Sequence, residues 1–218
     1  MNLTLNYKGL DYDKIKELVI SAYDDISFCL KDKLEYMTVC VHKNRKEFDD
    51  KLGQKTKLWH IASANNGGVD VIHFDAFEKE TSHKKEDFLP TLKHEIAHLF
   101  IDKMAEDKAV PRWLNEGLAS FVSKQHENIK HPIYIEENFC DKLGTPKGWD
   151  EYSDYSAYNT ASLFVNFLAE KYTLDKTMDL ISKLDKNYYY PRFETIFKNI
   201  FGETLQDLER EFVDKING

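Results

Sequence analysis

The stretch 92–100 reads "LKHEIAHLF", a helical run that is apolar except for two histidines four positions apart and a glutamate directly after the first. Asp87 and Pro90 mark its start, and the pattern continues to about residue 105. Histidine and glutamate are poor choices for a helix that only packs, because a polar group taken out of water costs free energy unless it finds a partner. Any fold for this chain therefore has to do one of two things. It buries the helix with its polar residues individually satisfied, or it gives His94 and His98 a shared metal ion.

Residues i and i+4 lie about one turn apart on one helix face, so both imidazoles can be directed at a single point. A tetrahedral zinc site asks this of its first two ligands, and a catalytic one adds a third protein ligand and a water. Glu95 lies about 100° round the helix from His94, able to reach that water without taking a ligand position. A third ligand is on offer downstream. "WLNEGLA" (113–119) sets Glu116 among apolar residues, on a helix that Pro111 begins. A carboxylate in such surroundings needs a partner if it is buried; the plainer alternative is an exposed Glu on the polar side of its helix. Gly117 costs about 1 kcal/mol against alanine in a helix interior, which points to a close helix approach or to a metal neighbour. His94, His98 and Glu116 with one water match the ligand types of zinc hydrolases, and two imidazoles with a carboxylate favour zinc among divalent ions.

The 218 residues suffice for one large domain or for two small lobes sharing a cleft. A 13% share of aromatic residues argues against disorder. The formal charge of −8 argues against nucleic acid and anionic membranes as partners, since both need a positive footprint. No run of about 18 apolar residues occurs, and "MNLTLNYKGLDYDKIKEL" lacks the apolar centre of a targeting segment. Cys29, Cys40 and Cys140 are too few and too scattered for a disulfide framework or a CxxC metal site. Cys29 and Cys40 read as buried thiols, and the simplest location is the cytoplasm, with thiols reduced.

Strand signals come first and helical ones after, an α+β order. Residues 11–31 place Ile15, Leu18, Val19, Ala22 and Ile26 at helical spacing. "LEYMTVCVH" (34–42) reads as a strand, followed by a short helix around 44–52. "KLWHIASA" and "VDVIHFDA" flank Asn65-Asn66-Gly67-Gly68, a hairpin signal because Asn-Gly tolerates the positive φ of the turn. From 153 onward four segments are helical: "SAYNTASLFVNFLAEKY", "LDKTMDLISKL", "RFETIFKNIF" and "TLQDLEREFVDKI", the last with capping-box-like spacing at Thr204 and Asp207. This predicts an α/β half over residues 1–107 and a helical half over 108–218, making one catalytic unit with a cleft between them.

"HEIAHLF" and "WLNEGLA" resemble the gluzincin metallopeptidases, especially the aminopeptidase and leukotriene-hydrolase-like branch and its small bacterial relatives. The likeness covers about residues 57–170, and "FGETLQDLEREF" is similar to the end of the small relatives. The resemblance implies a zincin-like α+β fold: a small mixed or antiparallel sheet with the active-site helix, then a helical C-terminal half. It implies His94, His98 and Glu116 as ligands of one zinc, with Glu95 as general base and acid. The family steadies its tetrahedral intermediate with a tyrosine that opens a helix ahead of small residues and an apolar run. "YNTASLFVNFL" (158–168) is similar, which points to Tyr158, with Tyr155 one turn earlier as the alternative.

Two departures from the family stand out. The spacer between His98 and Glu116 is one residue shorter than in the large aminopeptidases, a difference a loop absorbs. "SANNGGVDV" occupies the place of their Gly-x-Met-Glu-Asn segment without its amine-gripping Glu, so an aminopeptidase loses its main support. The 69–75 strand remains available to bind an extended peptide if it lies at a sheet edge, with an ordinary core strand as the alternative.

The expected function is a zinc metallopeptidase that hydrolyses a peptide or protein substrate through a metal-activated water. Alternatives from other classes are a zinc-binding interaction or regulatory module of the same fold, and another zinc hydrolase chemistry. Endo- or exopeptidase preference and oligomeric state stay open. Asp102 and Ser120 follow His98 and Glu116 by four, where an acceptor supporting a ligand imidazole could sit. His42, His60, His73, His83, His126 and His131 show no ligand spacing with one another and receive no role.

Overall fold

A computed structural model describes residues 1–65, 67–129, 138–152, 157–187 and 189–217. They form a mixed α+β structure, 64% helical, with a small four-stranded sheet. The chain divides into two compact units, Met1–Phe100 and Ile101–Gly218.

The first unit holds the sheet. β1 (Asn2–Asn6) pairs in parallel with β2 (Tyr36–His42), and α1 (Tyr12–Leu30) supplies the crossover that a parallel pair needs. α1 buries Ile15, Val19, Ala22, Tyr23, Ile26 and Leu30, the three-and-four spacing of an amphipathic helix. β2 alternates as a strand should, burying Met37, Val39 and Val41. α2 (Arg45–Leu52) starts at Asn44, whose side chain accepts the Glu47 N–H at 3.0 Å, and stops at Gly53 in the left-handed region. β3 (Ala62–Asn65) and β4 (Gly68–Ile72) form the predicted hairpin, with Gly67 at φ 78° where glycine is at ease. Asn66 lies outside the described residues. β4 also pairs in parallel with β2, giving the strand order β1-β2-β4-β3.

Three expectations are corrected here. The strand after the hairpin is not an edge: β4 is bonded on both sides, by β2 and β3, so it has no open row of backbone groups for a peptide. The strand expected from Lys57 begins only at Ala62, because Lys57–His60 closes a turn, His60 N–H to Lys57 O at 2.9 Å. Cys29 and Cys40 are half-buried, and the fully buried thiol is Cys140. Cys40 lies on the opposite side of β2 from Val39 and Val41, where Asn6 Nδ2 donates to its Sγ at 3.3 Å.

After β4 come α3 (Phe74–Glu80), a 3-10 turn (Lys85–Asp87) and α4 (Phe88–Ala105), the helix that carries the two histidines. The boundary between the units falls inside α4, whereas the expected halves divide after it. The second unit is helical among the described residues: the end of α4, α5 (Arg112–Val122), α6 (Phe139–Lys142), α7 (Pro146–Tyr152), α8 (Ala157–Lys171), α9 (Leu174–Ser182), α10 (Tyr190–Phe201) and α11 (Leu205–Asn217). Its core is aromatic. Phe164 meets Trp113, Phe139 and Phe212 with ring centroids 5.3, 5.0 and 5.2 Å away. No helix among the described residues is long and apolar enough to cross a membrane.

Candidate metal centre

α4 is buried on most of its circumference. Leu92, Ile96, Ala97, Leu99, Phe100 and Ile101 are at most 5% exposed, while Lys93, Glu95 and His98 are half-buried. The sequence thus sets a few polar residues on an otherwise core helix, with His94, His98 and Glu95 on one side and Lys93 apart from them. Lys93 is accounted for by Asp25 of α1, Nζ to Oδ2 2.6 Å. His94 and His98 meet each other: their Nε2 atoms are 3.1 Å apart, with ring planes at 83°. Two nitrogens bound at about 2.0–2.1 Å to one tetrahedral zinc lie about 3.3 Å from each other. The pair therefore offers the same two atoms either to one shared proton or to one metal ion, and its spacing fits zinc to within a few tenths of an ångström. Glu95 lies within electrostatic reach of His60, whose pKa is lowered, first by burial, while the Glu95 charge acts in the opposite direction.

Glu116 belongs to the second unit. It sits in the middle of α5, 7% exposed, beside Trp113, Leu114, Leu118 and Ala119, all fully buried. The exposed-Glu alternative is thereby excluded. Arg112, one turn earlier, places Nη2 3.1 Å from Glu116 Oε1. Tyr158, near the start of α8, shares this neighbourhood. Its ring meets Trp149 edge to face at 4.8 Å, and the Arg112 guanidinium lies 5.5 Å from the Trp149 ring centre. The Tyr158 phenol has a raised pKa, chiefly through burial, with the Glu116 charge adding and Arg112 opposing. It stays protonated at neutral pH, in the form that can donate a hydrogen bond. Tyr155 lies outside the described residues. Asp102 is exposed on α4, and Ser120 is buried on α5.

Gly117 receives its explanation from packing. A Cβ there would come within 2.5 Å of the Ala161 carbonyl oxygen, so the glycine lets α5 lie directly on α8.

Arg112 and Trp149 were not singled out from the sequence. The Arg112–Glu116 pair has the i, i+4 spacing of helix ion pairs, a usable signal. Trp149 has none. A histidine given no role, His73, also has partners. Its Nε2 lies 3.0 Å from Asp11 Oδ2, its Nδ1 accepts the Asp75 N–H at 3.2 Å, and Tyr7 donates to Asp11 Oδ1 at 2.6 Å. Asp11, His73 and Asp75 have donor atoms of the kinds metals take. The two carboxylates, however, approach opposite ring nitrogens, whose lone pairs diverge, and Lys85 Nζ occupies Asp75 Oδ1 at 2.6 Å. This group is a hydrogen-bonded strut, not a chelate. Compared with known proteins, the chain matches no family model and no curated sequence.

Proposed function

We propose that this chain is a gluzincin-like zinc metallopeptidase in which His94, His98 and Glu116 hold one zinc ion, while Glu95 and Tyr158 act on the peptide bond. The observation that carries the reading is the 3.1 Å separation of the two Nε2 atoms on α4. The chemistry of the three residues supports it: two imidazoles and a carboxylate are donors of the kinds zinc takes. Zinc, when bound, would make a water more acidic and polarise the substrate carbonyl. Glu95 takes the proton of the attacking water and delivers it to the nitrogen of the leaving amine. Tyr158 donates a hydrogen bond to the carbonyl oxygen as it gains negative charge. Arg112, 3.1 Å from Glu116 Oε1, orients the carboxylate. Three unpaired cysteines fit a reducing, cytoplasmic setting.

Metal analysis and a peptide-library digest test this reading together. Purified protein should carry about one zinc per chain. It should cleave peptides, lose that activity to a chelator and regain it with zinc. A folded His94→Ala variant that kept full zinc would overturn the ligand set. A zinc-loaded wild type that cleaves nothing would leave the interaction module in its place.

A further inference from the structure

The loop Thr56–His60 plays no part in the chemistry above, yet its backbone is fixed with unusual thoroughness. Arg45, the first residue of α2, donates from Nη1 to Thr56 Oγ1 at 2.6 Å, Lys57 O at 3.1 Å and His60 O at 3.3 Å. Its Nη2 donates to Leu58 O at 3.0 Å, and its Nε to Glu80 O at 2.8 Å. Leu58 O also accepts the Ser82 N–H at 3.3 Å, and Trp59 O lies 3.0 Å from His83 Nε2. Asp49 Oδ1 accepts both the N–H and the hydroxyl of Thr56, at 3.1 and 2.6 Å. Every carbonyl from 57 to 60 is thus engaged, and the loop is tied both to α2 and to the segment that leads into α4.

The side chains on this fixed backbone point outward. Leu58 is 62% exposed and Trp59 is 42% exposed. A single exposed apolar residue needs no explanation, but two large adjacent ones on an ordered loop form a surface whose ordering cost is met before anything binds. The next residue fixes the place. His60 stacks on Trp59 with centroids 5.8 Å apart, meets Phe48 at 87° and 5.7 Å, and lies within electrostatic reach of Glu95. The last residue of the loop is therefore within electrostatic range of the α4 carboxylate proposed as catalytic.

We infer that the Arg45-strapped loop Thr56–His60 is a specificity lip, with Leu58 and Trp59 receiving an apolar side chain of the peptide beside the bond to be cleaved. The inference rests on the zinc peptidase reading, and its occupant is the substrate itself. Binding of small hydroxamates separates the two. Acetohydroxamate needs only the metal; the hydroxamates of acetyl-alanine, acetyl-leucine and acetyl-phenylalanine add a graded side chain. In zinc-loaded wild type the phenylalanine compound should bind about tenfold or more tightly than the alanine one, the range that apolar pockets reach for such differences. Leu58→Ala and Trp59→Ala should each shrink that ratio several-fold, Trp59→Phe should retain most of it, and zinc content and acetohydroxamate affinity should not change. If acetohydroxamate binds but the ratio is the same in wild type and both alanine variants, the lip is refuted while the zinc centre stands. If acetohydroxamate fails to bind zinc-loaded protein, the zinc reading falls and the lip with it. If the variants change sedimentation but not the ratio, the surface serves a second copy of the chain, which also overturns the inference.

Discussion

Replacing Gly117 by alanine adds a methyl group where the backbone of another helix already stands. The new Cβ would lie 2.5 Å from the Ala161 carbonyl oxygen, 2.7 Å from Val165 Cγ2 and 2.9 Å from the Ala161 carbonyl carbon. Ordinary contact starts near 3.4 Å, so α5 and α8 must part by roughly 0.9 Å at this point or distort locally. Val165 can turn its methyl aside; the Ala161 carbonyl cannot, because it belongs to the helix. Overpacking a tight interior costs about 1–3 kcal/mol, and a backbone clash belongs at the upper end. Alanine returns about 1 kcal/mol through its better helix propensity. The net loss is then about 1–2 kcal/mol, or about 2–8 °C in melting temperature for a chain of this size.

The same displacement reaches the chemistry. Glu116 is the neighbour of Gly117, and Tyr158 stands one turn before Ala161 on α8, so parting the helices shifts the carboxylate against the phenol. A misplacement of about 1 Å can cost about a hundredfold in rate. Thermal unfolding followed by circular dichroism, at matched zinc content, measures the first effect, and turnover on a cleaved peptide the second. Adding Val165→Ala to Gly117→Ala should recover little stability, because the carbonyl clash remains. A Gly117→Ala protein that melts at or above the wild-type temperature with full turnover would refute the close approach and the coupling argued from it.

Three other predictions concern single groups. Glu95→Gln should keep zinc and fold but lose about 10²–10⁴ in turnover, the usual worth of a general base; wild-type turnover in that variant would sink the mechanism. Tyr158→Phe should lose about 10²–10³ in turnover with substrate affinity little changed, and a larger effect on KM than on kcat would withdraw the oxyanion role. Glu209 is 1% exposed; its Oε1 accepts the Cys140 N–H at 2.7 Å, its Oε2 has no hydrogen-bond partner among the described residues, and burial raises its pKa. The folded protein therefore holds this proton more tightly than the unfolded chain, so stability falls as pH rises from about 4.5 through the folded value. Glu209→Gln should flatten that slope and add about 1 kcal/mol at neutral pH, and a melting-temperature profile identical to wild type would show the carboxyl titrates normally.

Much of the architecture is legible because its causes are local. Helical spacing marks α1, α8, α9, α10 and α11, a short helix is expected around 44–52 where α2 lies, and the Asn-Gly pair marks the hairpin. Elements whose stability comes from distant partners leave little local trace. β1 is five residues long and exists through parallel pairing with β2, and α6 has only four residues, with Cys140 N–H held by Glu209 of α11. The turn that shortens the strand before the hairpin is imposed by Arg45, which no pattern around Lys57–His60 reveals. The same holds for His73, whose partner Asp11 is 62 positions away.

Within the candidate site, the structure changes how the sequence signals should be weighed. From the sequence, Gly117 points to a close helix approach or to a metal neighbour. The Ala161 carbonyl accounts for it in full, so the glycine no longer speaks for a metal. Arg112 likewise gives the buried Glu116 carboxylate a positive partner without one. Neither argument touches α4. A helix that buries Ile96, Ala97, Leu99 and Phe100 could satisfy its polar residues separately, as it satisfies Lys93 through Asp25. His94 and His98 are instead turned toward each other, nitrogen to nitrogen. Two neutral imidazoles gain one hydrogen bond from that arrangement, and two protonated ones repel. A cation shared between them uses both lone pairs, and for that reason the metal reading now stands on the histidine pair.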